Sequence, residues 1–360
     1  MQKLDQFYRV VETLSMRKKS EKQFAKSLFT TVHGHFLRKY EDLAPFSLIF
    51  KNGYYNCVSA TALFAIILDH YGVPYDIKEV PTHVYLIAYP GTHNIIYETT
   101  SPQGFYAPDN KTKENYVNGM VKAKLTTQEH VNSVGYNKVF EELYYPKDNI
   151  SLIQLSSFQY SNKALSDYRD KKTEPALVNM FKAYELNPST RNEFLKLSLI
   201  GSQLGASQMN GKYDPMYLIE FGNTVKDKNQ KQEVVESFRG YLHQKLMKQA
   251  NDSALISTYE LLKSGIRDST LRSEIGYYYN LGLAQWYGVK GKVDESLKYL
   301  TEAYAYNNND LATQEQIVMS VMRKFLSTVN KGDIDKLDTY KTQFPFLADN
   351  LYFISLYATS

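Results

Sequence analysis

The stretch Tyr54 to Asp69, YYNCVSATALFAIILD, decides how the N-terminal part of the chain is read, because it sets the only cysteine of 360 residues at the start of an apolar helix. From Val58 to Leu68 the apolar side chains Val58, Ala60, Ala62, Leu63, Ala65, Ile66, Ile67 and Leu68 occupy every face of the helix. A helix of that kind is buried inside a domain instead of lying on it. Gly72 and Pro74 in YGVP then stop it, glycine just past the end and proline soon after.

Downstream, THVYLIAY (82–89) and NIIYETT (94–100) are rich in β-branched and aromatic residues, and PGTH between them reads as a hairpin loop. An even-length loop sets Tyr85 opposite Glu98 and His83 opposite Thr100, which makes His83 and Glu98 diagonal neighbours on one face. A slip of one residue would send them to opposite faces. On one face, a carboxylate against one ring nitrogen orients the imidazole and stabilises its protonated form.

Cysteine is nucleophilic as thiolate, a form favoured by the partial positive charge of a helix N-terminus and by a nearby imidazolium. The N–H groups of the first helical turn, unpaired within the helix, offer donors for an oxyanion. Cys57, His83 and Glu98 thus supply nucleophile, base and orienting carboxylate. Asn56 and Tyr85, beside the nucleophile and the carboxylate, are the expected binding residues. The plainer reading of a lone cysteine is a small buried core residue.

Upstream, Phe24, Leu28, Val32 and Phe36 recur every fourth residue, which predicts one amphipathic stripe within Leu4 to Tyr40, ending near Pro45. A short FSLIF and a KNG turn lead into the quoted stretch. Between Pro102 and Asn149 the pattern is irregular and polar, and a loop-rich flap is expected there. Beyond about Asn162 helix follows helix. ALVNMFKAYELNP (176–188) and NLGLAQWYGVKGKVDESLKYLTEAY (280–304) carry Ala176, Met180, Ala183 and Pro188, then Leu281, Gly282, Leu297, Leu300 and Ala303, at spacings that resemble tetratricopeptide repeats. Leu195 to Ser264 is helical in pattern without that signature. A stacked helical array with a concave face is the expected architecture.

Composition narrows the chemistry. The 42 basic and 38 acidic residues leave a charge of +4 without a basic stripe, so no nucleic-acid partner is expected. One cysteine excludes an internal disulfide and a multi-cysteine metal site. His33 and His35 look like a metal pair, yet two residues apart on a helix they face different ways, so packing is the expected role. His93 sits in the hairpin loop, and Asp76 and Glu79 read as solvated. Gly288 and Gly291 serve a helix turn, and no phosphate-binding loop is present. The 31 tyrosines, against one tryptophan, suit packing surfaces with a polar tip. No apolar run approaches the roughly 20 residues of a membrane-spanning helix. MQKLDQFYRV is polar throughout, which predicts no signal peptide after Met1.

The order NCVSATALFAIILDHYGVPYDI, THVYLIAY and IIYETTSPQGF resembles the transglutaminase-like, papain-related superfamily over Asn52 to Phe105, and is similar to its bacterial members. In that family a cysteine heads the central helix, HV opens a strand, and the aspartate of a D-x-T motif lies on the next strand. The resemblance puts Cys57 on the nucleophile, His83 on the base, and Glu98, followed by Thr99 and Thr100, on the carboxylate. Glu98 replaces the usual aspartate, which moves the carboxylate about one methylene along. Val58 stands where an aromatic residue often follows the nucleophile, so an aromatic acyl channel is not carried over.

The expectation is therefore an α+β papain-like, transglutaminase-like domain over residues 1–150 and an all-α tetratricopeptide-like array over 151–360. The expected activity is cysteine-dependent acyl transfer, hydrolysis of an amide or peptide bond in a protein or peptide substrate, with no cofactor. The alternative is a non-catalytic scaffold whose helical groove binds a protein partner. The resemblance implies the cell envelope if a leader has been removed, and otherwise the cytoplasm.

Overall fold

The computed structural model describes residues 2–80, 83–122, 124–145, 148–248, 253–325 and 334–359. The fold is mostly helical with a small sheet, and it divides into two compact units, Met1–Lys196 and Leu197–Ser360.

The first unit opens with α1 (Gln2–Thr13) and α2 (Glu21–Phe36), two helices where the sequence reads as one stripe; Ser15, in the left-handed region at φ 45°, turns the chain between them. Phe24, Leu28, Val32 and Phe36 are all buried along α2. The two-residue strands β1 (Lys39–Tyr40) and β2 (Tyr54–Tyr55) pair in parallel on either side of α3 (Ser47–Asn52), which is the FSLIF segment.

Next comes α4 (Cys57–His70). Only Cys57, Ala62, Ile66, Asp69 and His70 escape full burial, as an apolar surface on every side requires. Its end is closed by Gly72 at φ 66°, with the Val73 N–H donating to the Leu68 carbonyl at 2.9 Å. Around it, Phe29, Phe64 and Tyr97 pack with ring centroids 5.0 to 5.4 Å apart, and the buried Tyr97 hydroxyl donates to the Ala25 carbonyl at 2.7 Å.

Four antiparallel strands lie in the order β3 (Tyr75–Val80), β4 (His83–Ala88), β5 (Ile95–Tyr97) and β6 (Phe105–Tyr106). Leu86 pairs with Tyr97, Ile87 with Ile96 and Ala88 with Ile95, the register that the even-length loop implies. The strand β3 is missed by the sequence reading because YDIKEV breaks the apolar alternation with charges. Its Asp76 and Glu79 are partly buried, and Lys78, 5% exposed, sets its Nζ 3.9 Å from the Asp76 carboxylate.

The expected flap is a correction of a second kind. It contains α5 (Asn110–Lys122), α6 (Gln128–Val134) and α7 (Tyr136–Tyr144), closed on a small core of Val117, Val131, Val139 and Phe140. With so few buried residues shared among three helices, each reads as polar by itself.

The helices α8 (Leu152–Arg169) and α9 (Thr173–Leu186) also belong to the first unit, because Leu155 and Phe158 join the core that surrounds α4. The division expected at residue 150 follows a change of sequence character that burial ignores. After α10 (Thr190–Ser207) the second unit continues as α11 (Asp214–Thr224), α12 (Lys228–Lys248), α13 (Ser253–Gly265), α14 (Ser269–Val289), α15 (Val293–Tyr306), α16 (Leu311–Phe325), α17 (Ile334–Gln343) and α18 (Leu351–Thr359).

Close approach of backbone to backbone is concentrated at Gly104, where an added Cβ would stand 1.9 Å from the Glu98 carbonyl oxygen. Gly119 in α5 has nothing within 4 Å of the same position. Gly104→Ala is therefore expected to destabilise the chain by about 1 to 3 kcal/mol or more. Gly119→Ala should be neutral or stabilising by up to about 1 kcal/mol, since alanine is the better helix former. Urea midpoints of the two variants check both; a Gly104→Ala midpoint equal to wild type would contradict the tight approach.

Candidate active site

Cys57 is the first residue of α4, and the local sequence explains why the helix starts there. Asn56 adopts extended backbone, its side-chain oxygen accepts the Ser59 N–H at 2.9 Å, and the Ser59 hydroxyl accepts the Asn56 N–H at 2.9 Å. This reciprocal cap satisfies two first-turn donors and leaves those of Cys57 and Val58. Asn56 is 2% exposed, and its amide nitrogen donates to the Ala44 carbonyl at 3.2 Å. The expected binding role is thus corrected: the carboxamide is used up in capping the helix.

His83 opens β4 and Glu98 follows β5 directly, which brings them together across the hairpin. The imidazole Nε2 lies 2.7 and 2.9 Å from the two Glu98 carboxylate oxygens. The other ring nitrogen, Nδ1, is left for the Cys57 thiol. Hydrogen bonding to Cys57 first, and to Glu98 second, raises the His83 pKa to about 10 against the opposing effect of burial. The imidazole is accordingly a cation at neutral pH.

Burial pushes the Glu98 carboxyl upward, but hydrogen bonds from His83 and Thr100 outweigh it and hold the pKa below the ordinary 4.5. The Thr100 N–H and hydroxyl both donate to one Glu98 oxygen, at 3.2 and 2.5 Å. The Glu98 N–H donates to the Gly104 carbonyl at 2.8 Å.

The segment carrying Glu98 is clamped from three elements. His33 of α2, 4% exposed, donates through Nε2 to the Thr99 carbonyl at 3.2 Å. The fully buried Thr99 hydroxyl lies 2.9 Å from that of Thr61, one helical turn beyond Cys57, and the Tyr55 hydroxyl donates to the Thr100 carbonyl at 3.0 Å. Burial keeps the His33 pKa below 6.5, opposed by the bond to Thr99. His35 packs instead against Phe7 and Phe36. Among the described residues no three His, Cys, Asp or Glu side chains gather as a metal-ligand group.

Tyr85 shares the His83 face, as the register demands. Burial, with Tyr144 and Glu98 nearby, raises its pKa to about 12. Its hydroxyl makes no hydrogen bond to Glu98 among the described residues. His93 stands apart, paired with Glu21 at 3.0 Å.

Two residues near the thiol escape sequence reading. Tyr40 has its pKa raised to about 12, by burial first and then by the nearby Cys57 and Asp42. A two-residue parallel pairing has no periodicity to announce it. His33 and Thr61 left a faint signal, as polar positions within apolar helices.

Compared with protein-family models, with curated proteins and with solved structures, the chain matches none.

The charge on His83 fixes the pH behaviour. Its pKa is raised on folding, so its contribution to stability is complete below the ordinary histidine value of 6.5 and is lost as pH climbs through about 10. Glu98 works in the other direction: its contribution holds above the ordinary 4.5 and falls away as pH drops through its lowered value. Glu98→Gln should move the His83 titration, followed by imidazole NMR, to lower pH. His33→Phe keeps an aromatic ring but drops the bond to Thr99, and should shift His83 the same way by less. An unmoved His83 in Glu98→Gln would contradict the coupling.

Proposed function

We propose that the first unit is a cysteine-dependent acyl-transfer enzyme of the transglutaminase-like, papain-related kind, acting on a protein or peptide substrate. The observation that carries this reading is His83, whose Nε2 meets both Glu98 carboxylate oxygens at 2.9 and 2.7 Å while the Cys57 thiol stands close enough to help raise its pKa. The same order of elements, cysteine at the head of a buried helix, histidine at the start of a strand and carboxylate after the next, supports the family resemblance.

In the reaction, the proton of Cys57 rests on His83 and the thiolate attacks the substrate carbonyl carbon. The carbonyl π pair moves to oxygen. His83 then gives its proton to the departing amine as the C–N bond breaks, which leaves a thioester on Cys57. Water, deprotonated by His83, attacks the thioester; the C–S bond breaks and the carboxylic acid leaves. Glu98 holds the ring in place and balances the imidazolium throughout. Hydrolysis is favoured over crosslinking because water needs no amine-binding pocket.

A second reading rests on the second unit. A cavity of about 670 Å³ between α12 and α14 is lined by Arg239, His243, Met247, Tyr278, Trp286 and Val289. Such a groove supports a tetratricopeptide-like scaffold that binds a protein partner, with Cys57 chemically idle.

Single substitutions separate the two. Cys57→Ala should abolish turnover of an amide or peptide found by substrate screening, and His83→Ala should be nearly as severe. Glu98→Gln keeps a hydrogen bond to the ring but not the charge, so a loss of about 10- to 1,000-fold is expected, the equivalent of 1 to 3 pKa units. Wild-type turnover by a folded Cys57→Ala chain would end the enzyme reading.

A further inference from the structure

The groove between α12 and α14, about 670 Å³ in volume, is shaped by two glycines that act in opposite ways. At Gly282 an added Cβ would stand 2.9 Å from the Leu242 Cδ2 and 3.2 Å from the Leu246 Cδ1, so this glycine lets the two helices close on an apolar floor. At Gly240 nothing lies within 4 Å of the same position, and the missing side chain leaves the groove open above that floor. From Tyr278 to Val289 the lining follows α14 for about 16 Å. Volume and apolar lining are those of a site for a small organic molecule.

Its polar groups are unevenly placed. Glu236, Arg239 and His243 follow one another along α12, and Gln285 joins them from α14. The Arg239 guanidinium lies over the Tyr278 ring at 4.4 Å, and its Nη1 donates to the Glu236 carboxylate at 2.7 Å. The ring thus holds a group of five donors, of which one is used among the described residues. Neither His243 nor Gln285 has a hydrogen-bond partner among them. Lys290 adds a second cation, its Nζ 5.5 Å from the Trp286 ring, so Arg239 and Lys290 outweigh the single carboxylate of Glu236. At the far end Met247 and Val289 are 75% and 87% exposed, apolar side chains left in water.

A peptide laid in this groove would bring an N–H and a C=O at every residue, each in need of a partner, and the floor of Leu242, Leu246 and Leu281 has none to give. A ligand with one anionic head and an apolar chain meets the groove as it stands. Its carboxylate takes the spare guanidinium donors of Arg239, which suit a bidentate acceptor. Its chain covers the leucines and removes the apolar surface of Met247 and Val289 from water. We propose that the groove is a binding site for a medium-chain fatty acid, taken up as the free carboxylate with its head on Arg239 and its chain running past Trp286 to Val289. This inference stands apart from the acyl-transfer reading, since Cys57 has no part in it. It gives the groove an occupant other than the protein partner of the scaffold reading.

Trp286 is the only tryptophan of the chain, so intrinsic fluorescence reads this groove. The full chain is titrated with decanoate below its micelle-forming concentration, and a saturable shift of the emission is expected. Octanoate should bind about 5- to 15-fold more weakly for its two missing methylenes. Decyltrimethylammonium, with the same tail and the opposite charge, should give no saturable shift. Arg239→Gln should weaken decanoate binding by about 10- to 100-fold. Glu236→Gln releases the guanidinium from its partner and should strengthen binding by about two- to fivefold. Gly240→Leu fills the groove without a clash in an exposed helix, and should remove the response while the far-ultraviolet circular dichroism stays that of wild type. Equal responses to decanoate and decyltrimethylammonium, or wild-type affinity in Arg239→Gln, would reduce the effect to apolar adsorption and overturn the proposal. So would a response to a tryptic peptide mixture without one to decanoate, which would return the groove to a protein partner, or an emission that shifts with protein concentration alone, which would give it to a second copy of the chain.

Discussion

A helix with apolar residues on every face can meet solvent only at its ends, and that constraint organises the first unit. The sides of α4 are closed by α2, the sheet and α8, through Phe29, Leu86, Tyr97, Leu155 and Phe158. Besides the partly buried Ala62 and Ile66 and the exposed last residues Asp69 and His70, what remains accessible is the first turn, where the half-buried Cys57 sits with N–H groups that the Asn56 and Ser59 cap leaves over. The burial that stabilises the helix also aims its dipole and its free donors at the thiol. Apolar packing and candidate chemistry are thus consequences of one arrangement.

Polar groups inside this core have to be paired, because a buried donor or acceptor left alone costs about 1 to 3 kcal/mol. Thr61, Thr99 and His33 meet that requirement together, on each other and on the carbonyls of Val84 and Thr99. Each of these bonds ends on the segment that carries Glu98 or on the strand that carries His83. A network that would be needed only to satisfy buried polarity thereby fixes the distance between carboxylate and imidazole. His33 illustrates the economy of the arrangement: burial keeps it neutral, and neutral it still supplies the N–H that the Thr99 carbonyl needs.

The parts of this site legible in sequence are those governed by short-range pattern. The all-round apolarity of α4, its glycine stop and the loop length between β4 and β5 are local facts, and together they set Cys57, His83 and Glu98 in the right places. The parts that were not legible depend on partners distant in the chain. The strand β3 is carried by pairing with β4 although its own charges argue against a strand. The helices α5 to α7 share four core residues, too few to give any one of them an apolar stripe. Tyr40 comes near Cys57 through two paired residues, and α8 enters the α4 core across a change of sequence character. Asn56 shows the converse difficulty: a residue adjacent to Cys57 in sequence can be spent wholly on the backbone.

The helical hairpins show how a turn can be specified twice with different residues. Lys171 at φ 62° joins α8 to α9, and Gly291 at φ 72° joins α14 to α15. In both turns the next residue's N–H reaches back five residues, Lys172 to the Asp167 carbonyl at 2.8 Å and Lys292 to the Tyr287 carbonyl at 3.0 Å. The following helices close alike, Asn187 on Ala183 and Asn307 on Ala303, each at 3.0 Å. Glycine adopts the left-handed conformation freely and lysine does not, so the first hairpin takes up a strained turn that the second avoids. Packing of the helix pair has to offset that strain. The shared geometry is therefore set by how two helices must meet, and the residue at the turn is secondary.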